Sequence, residues 1–236
     1  MTFAEGAPAA AAEVRHDGAD YGVVLEGLLL VGNVKMARDL EKLQEAGVKA
    51  VLNLIAYSKP GLGPTFADIL VVRHCPIEDR PKTGLAWAEG AARFLDEQLG
   101  QGMLTYVHCS AGVSRSTSAC IYYLMTRKGM SLKEAFDHLK AVRPPTCPSI
   151  GFFSGLVEVE RLERGGVTMS ADEYRLLCCT RLFPSVDAGA CASALAKAKE
   201  LSEDPKFVAA LVEKLGDDNI EPHGYIAVDL LLEEHR

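Results

Sequence analysis

Two periodicities alternate along the middle of the chain. Residues 69–72 (Ile-Leu-Val-Val) and 104–107 (Leu-Thr-Tyr-Val) are short, apolar and β-branched or aromatic, and predict buried strands. Between and around them, apolar residues recur every three or four positions. Asn33 predicts a cap for a helix over 34–46, with Ala37, Leu40, Leu43 and Ala46 on one face and Gly47 after it. Leu85, Ala88, Ala92, Leu95 and Leu99 form a second stripe, closed by Gly100. A third helix is expected over 116–128, with Arg127 and Lys128 in its last turn and Gly129 as its stop. Ser131 and Glu134 have the spacing of a capping box, opening a helix with Leu132, Ala135, Phe136, Leu139 and Val142 inward, ended by Pro144 and Pro145. Strands alternating with helices predict an α/β fold, with a mostly parallel central sheet flanked by helices.

The chemistry concentrates between the strand at 104–107 and the helix from 116. The connecting run is His108-Cys109-Ser110-Ala111-Gly112-Val113-Ser114-Arg115-Ser116. A strand, a tight loop and a helix N-terminus can aim successive backbone N–H groups into one concavity, which binds a tetrahedral anion. Gly112 permits a backbone turn that a side chain would oppose. The same field, with the Arg115 guanidinium, favours the thiolate of Cys109, the form that acts as a nucleophile. Arg115 offers a planar fork for two phosphate oxygens. A departing oxygen needs a proton from another loop. Asp79 follows an apolar strand and precedes a turn with Pro81 and Gly84, which puts a carboxyl group on a surface loop before a helix, with its neighbour Glu78 as the rival.

The run HCSAGVSRS resembles the signature loop of the cysteine-dependent protein phosphatases, and most closely their dual-specificity branch. The likeness extends over about residues 20–164. Residues 23–33 (VVLEGLLLVGN) resemble that family's first strand and its glycine turn. The helix up to Gly47 and residues 48–54 resemble its next helix and strand, Pro76 to Asp79 the segment carrying the general acid, and Arg143 to Phe153 the closing segment. The resemblance implies a two-step hydrolysis of phosphotyrosine and phosphoserine or phosphothreonine. Cys109 takes up the phosphoryl group as a phosphocysteine. Asp79 protonates the departing oxygen and then assists water. Arg115 and the amides of Ser110, Ala111, Gly112, Val113, Ser114 and Arg115 hold the phosphoryl oxygens. Ser116 eases thiolate departure, and His108 orients the loop. One departure from the family pattern is Pro148-Ser149 where Pro-Asn is common, which predicts a weaker or water-mediated brace.

No basic residue stands among the variable loop positions Ser110, Ala111, Val113 and Ser114, which favours a phosphoprotein, such as a protein kinase, over a polyphosphorylated inositol. A phosphatase of phosphoinositides, glucan or RNA 5′-phosphate, a low-turnover phosphate-binding scaffold, and another reaction of the Cys-x5-Arg type remain the alternatives. Arg80 and Lys82 are read as a solvated loop rather than a contact for acidic substrate residues.

Composition changes the picture only at the ends. Hydrophobic residues make up 48% of the 236-residue chain and charged residues 24%, ordinary for a globular protein. The net charge is −7, nearly all of it beyond residue 164, where thirteen Asp and Glu face seven Lys and Arg. No nucleic-acid partner is expected. Residues 1–19 read as a flexible tail without a secretory pattern, and no run is long enough to span a membrane, so a cytoplasmic or nuclear protein is expected. Residues 165–236 predict an acidic helical extension, with helices over 188–203, 204–215 and 225–234 and an apolar face at Leu201, Phe207, Leu211 and Leu215. It is expected to pack on the catalytic domain, a partner or a second copy. Seven cysteines without a CxxC pair predict reduced thiols, no metal site and no cofactor. Cys178-Cys179 reads as a half-buried helical pair rather than a redox site, and Cys75 or Cys120 as a thiol that could protect an oxidised Cys109.

Overall fold

The computed structural model describes residues 20–56, 70–80, 83–182 and 185–201. The expected tail at 1–19, Ile69, Pro81, Lys82, the helices over 204–215 and 225–234, and the side chain of Leu201 lie outside the described residues.

Among the described residues five strands form one sheet in the order β1-β2-β5-β3-β4. β1 (Tyr21–Leu25) and β2 (Leu29–Gly32) make an antiparallel hairpin, turned by Gly27 at φ 65°. β3 (Ala50–Ile55), β4 (Val71–Ile77) and β5 (Thr105–His108) are parallel to one another and to β2. The central position of β5 places the loop after it at the carboxyl edge of the sheet, where ligands of open α/β folds bind. β4 begins later and runs further than residues 69–72 imply. Among the described residues it lies at the sheet edge, a position that tolerates Pro76.

Period-two alternation divides the core. Leu29, Val31, Ala50, Leu52, Leu54 and Val107 face one layer, and Leu30, Val51 and Tyr106 face the other. The second layer is closed by α1 (Val34–Ala37) and α2 (Leu40–Glu45) through Met36, Ala37 and Leu43. The single helix expected over 34–46 is therefore two. Asp39 takes an extended conformation at φ −106°, ψ 95°, and its carboxylate accepts from Lys42 N, capping a new helix.

The larger layer is built from α3 (Ala88–Gly100), α4 (Arg115–Lys128), α5 (Leu132–Val142), α6 (Ile150–Arg164) and α7 (Ala171–Leu182). α3 starts three residues after Leu85, which packs from the preceding turn against Gly155 of α6. The left-handed residue behind α3 is Gly102 at φ 70°, not Gly100. Gly129 stops α4 at φ 69°. The capping box of α5 is complete, with Ser131 N donating to Glu134 Oε2 at 2.8 Å and Glu134 N to Ser131 Oγ at 3.3 Å. Buried Glu160 of α6 gathers a further set of donors: Leu132 N at 2.7 Å, Thr168 N at 2.8 Å and Thr168 Oγ1 at 2.7 Å.

The hydrophobic core continues past residue 164. Met169, Tyr174 and Cys178 belong to the main cluster, and the Tyr174 ring stacks on Phe153 at 3.7 Å between centroids. α8 (Ala188–Leu201) packs on α7 through a small cluster of Cys179, Cys191, Ala194 and Ala198. Among the described residues no helix is long and apolar enough to cross a membrane.

Candidate active site

The loop from Cys109 to Ser114 is shaped from outside, by its carbonyls. Cys109 O accepts from His108 Nδ1 at 3.4 Å. Ser110 O accepts from Val34 N at 3.1 Å. The buried guanidinium of Arg143 donates from Nη2 to Ala111 O and from Nε to Gly112 O, both at 3.1 Å. Val113 O receives Cys147 N at 2.8 Å and Thr117 Oγ1 at 2.6 Å. Ser114 O receives Ser118 N and Ser118 Oγ, each at 2.8 Å. Six consecutive carbonyls are thus held away from the loop centre. In a planar trans peptide the following N–H points opposite to the carbonyl. The amides of Ser110 through Arg115 therefore converge on the interior, the arrangement that binds a phosphoryl group.

Gly112 makes the close approach possible. Its φ is 68°, and a Cβ there would meet Gly32 O at 2.5 Å. Gly32 in turn has room for no side chain, because Tyr106 Oη would lie 2.3 Å from its Cβ. That hydroxyl donates to Asn33 O at 2.7 Å, tying β5 to the start of α1.

Cys109 lies beneath this loop with 1% of its surface exposed. Burial alone pushes its thiol up. The Ser116 hydroxyl, the N–H groups of Ser116 and Val113 and the Arg115 charge outweigh that, and the net shift is down. Ser116 Oγ stands 3.4 Å from the sulfur. Arg115 is anchored through Nη1 to Leu54 O at 3.4 Å and Ile77 O at 3.3 Å, and through Nη2 to Ser110 Oγ at 3.2 Å. These carbonyls end β3 and β4, so the sheet aims the guanidinium. His108 is buried and stacks on Tyr106 at 5.8 Å. A carbonyl only accepts, so Nδ1 carries the ring proton toward Cys109 O, and Nε2 lies buried without a hydrogen-bond partner among the described residues. Burial pulls this histidine down to about 4, which keeps it neutral near pH 7.

Of the two candidate acids, the structure brings Asp79 to the loop and leaves Glu78 paired with Arg80 at 3.2 Å. Asp79 Oδ1 accepts from Ser114 Oγ at 2.8 Å, and Oδ2 stands 3.4 Å from Arg115 Nε. That second contact is an ion pair without hydrogen-bond alignment. Ser114 Oγ also accepts from Ser149 N at 2.9 Å. The brace expected from the side chain after Pro148 is supplied by the backbone instead, while Ser149 Oγ is buried without a partner among the described residues. Burial pushes the thiols of Cys75 and Cys120 up, holding both protonated. Among the described residues no group of three or more His, Cys, Asp or Glu side chains could hold a metal ion.

Sequence reasoning assigned no role to Arg143, Tyr106, Gly32 or the Ser149 amide. Arg143 is separated from Gly112 by 31 residues, and only its place before Pro144 set it apart in the sequence.

A buried thiol at the carboxyl end of a parallel sheet, ringed by inward amides and one fixed guanidinium, has the parts that a cysteine-based phosphoryl transfer requires. Residues 29–162 match the family model described as "Dual specificity phosphatase, catalytic domain". The chain belongs to the dual-specificity phosphatase family. It is 35% identical over 133 residues to dual specificity protein phosphatase 2 of Homo sapiens, covering 56% of this chain and 41% of that protein. It is 31% identical over 139 residues to dual specificity protein phosphatase 1 of Arabidopsis thaliana, covering 58% of this chain and 68% of that one. The crystal structure of human DUSP28 superposes with a TM-score of 0.56 at 28% identity, covering 62% of this chain and 96% of that one. The matched residues span less than half the length of human dual specificity protein phosphatase 2.

Proposed function

We propose that this protein hydrolyses phosphotyrosine and phosphoserine or phosphothreonine in phosphoproteins through a phosphocysteine on Cys109. The observation that carries the reading is the outward capture of all six loop carbonyls, which leaves the amides of Ser110 to Arg115 facing the buried Cys109 sulfur. The sulfur attacks phosphorus, and the P–O bond to the leaving oxygen breaks. Arg115 and the loop amides hold the three equatorial oxygens, where charge is spread in the transition state. A phosphate dianion on Arg115 weakens the hold of that guanidinium on Asp79. Asp79, in its protonated form, gives its proton to the leaving oxygen as the P–O bond breaks. In the second step Asp79 takes a proton from water as the water attacks the phosphocysteine. The Ser116 hydroxyl donates to the sulfur as it leaves.

The absence of basic side chains at Ser110, Ala111, Val113 and Ser114 supports a phosphoprotein over a polyphosphorylated lipid or inositol. A reducing compartment, the cytoplasm or nucleus, suits a site whose nucleophile is a thiolate. The test is turnover of phosphotyrosyl and phosphothreonyl peptides by the full chain. Wild type should release phosphate from both, and Cys109→Ser should release none while still binding phosphate. Asp79→Asn should slow phosphothreonyl peptide about 10²–10³-fold and an aryl phosphate with an acidic leaving group far less. Equal slowing of both substrates would remove Asp79 as the acid. Release from lipid or RNA 5′-phosphate alone would overturn the protein substrate.

A further inference from the structure

A second pair of sulfurs lies behind the phosphate loop. Cys147, in the segment between α5 and α6, has its Sγ 3.8 Å from Cys178 Sγ of α7, although the two residues are 31 positions apart. The Tyr174 hydroxyl is 3.6 Å from Cys147 Sγ and donates to Pro148 O. Lys140 Nζ donates to Pro144 O and Thr146 O, both at 2.8 Å, which fixes a positive charge beside the same segment. We propose that Cys147 and Cys178 form a reversible disulfide that ties the brace of the phosphate loop to α7.

The sulfurs are already in van der Waals contact, and bonding requires an approach to about 2.05 Å. Cys147 is the half-buried member and reaches solvent, while Cys178 is buried. Donation from Cys178, the neighbouring Tyr174 hydroxyl and the charges of Lys140 and Arg181 outweigh burial and hold the Cys147 thiol below its ordinary range. The co-reactant is a hydroperoxide. The Cys147 thiolate attacks its outer oxygen, the O–O bond breaks, and protonation gives a sulfenic acid and one water (or alcohol). The Cys178 sulfur then attacks the sulfenic sulfur, the S–O bond breaks, and the hydroxyl leaves as water with the Cys178 proton. Two electrons pass from the sulfurs to the peroxide, and a small thiol reverses the bond by exchange.

The remaining cysteines explain the selectivity. Cys179 points to the other side of α7, against Cys191, and burial pushes its thiol up, as it does for Cys75 and Cys120. The position of the pair also matters to the loop. Cys147 N holds Val113 O, and Ser149 N holds the hydroxyl that contacts Asp79.

The test uses full-length Cys109→Ser protein, so that oxidation of the loop thiol plays no part and failure of the hydrolytic reading cannot affect the result. Hydrogen peroxide is titrated in, and cysteine peptides are mapped by mass before and after dithiothreitol. The expected product is a peptide containing 147 linked to one containing 178, lost on reduction. Adding Cys178→Ser should abolish the link and leave a sulfenic acid on Cys147 that dimedone traps. Adding Cys147→Ser should abolish the link with no sulfenic acid at 178. Sulfinic acid at Cys147 with Cys178 intact, a link through any other cysteine, or both peptides unchanged would overturn the proposal.

Discussion

Removal of Arg143 tests whether the loop is shaped from outside. Its Nε and Nη2 each donate at 3.1 Å, to Gly112 O and Ala111 O. Arg143→Ala frees both carbonyls. Gly112 is buried, so its carbonyl loses a charge-assisted bond with no water to replace it, while Ala111 is exposed and rehydrates. Together these amount to about 2–4 kcal/mol of stability. The larger consequence is orientation. The two freed peptides carry the N–H groups of Gly112 and Val113, and the Val113 N–H is one of those that lower the Cys109 thiol. Losing one preorganised donor to a developing oxyanion typically slows turnover 10²–10³-fold. Two loosened but retained donors should lower kcat/KM toward phosphotyrosyl peptide about 10²-fold, weaken vanadate binding, and raise the pH at which Cys109 alkylates. Arg143→Lys should recover only part, because a single ammonium lacks the two separate nitrogens that the planar guanidinium presents, one to each carbonyl. Lower stability with kcat/KM within about twofold of wild type and unchanged Cys109 titration would refute the reasoning, leaving Arg143 as packing alone.

The remaining predictions concern the groups around the loop. His108 titrates near 4 in the fold against 6.5 for an ordinary histidine, so the unfolded chain binds its proton first. Its contribution is therefore complete above about pH 6.5 and is lost as pH falls toward about 4, by roughly 3 kcal/mol at most. Urea midpoints at pH 7 and 5 should differ more in wild type than in His108→Asn, and equal differences would contradict the shift. Glu160→Gln replaces one carboxylate oxygen with a donor among Leu132 N, Thr168 N and Thr168 Oγ1, and should cost about 2–3 kcal/mol by urea unfolding with little change in peptide turnover.

The sequence carried the alternation of strand and helix, the capping box at Ser131 and the nucleophilic loop, because each is a local pattern with a local cause. The break at Asp39 escaped it because one face of apolar residues runs on through both short helices. Leu85 extended the stripe of α3 since a residue packing from a turn has the same hydrophobic spacing as one in the helix. The scaffold of the loop was less legible still. Arg143, Cys147 and Ser149 act through backbone atoms or on backbone carbonyls more than 30 residues away, and no periodicity records such contacts. The substitution at Ser149 is a case in point. Its short side chain implied a weak brace, but the bond that braces Ser114 comes from the amide, which every residue except proline possesses.

The account stands on an ionised sulfur at position 109. The most direct measurement is the rate of iodoacetamide alkylation against pH, read on the Cys109 peptide by mass so that Cys147 does not contribute, with and without vanadate. The midpoint should lie below the roughly 8.5 of a free thiol, vanadate should protect, and Ser116→Ala should raise the midpoint through loss of the hydroxyl 3.4 Å from the sulfur. A peptide that titrates like an ordinary cysteine, is indifferent to Ser116→Ala and is unprotected by vanadate would contradict it.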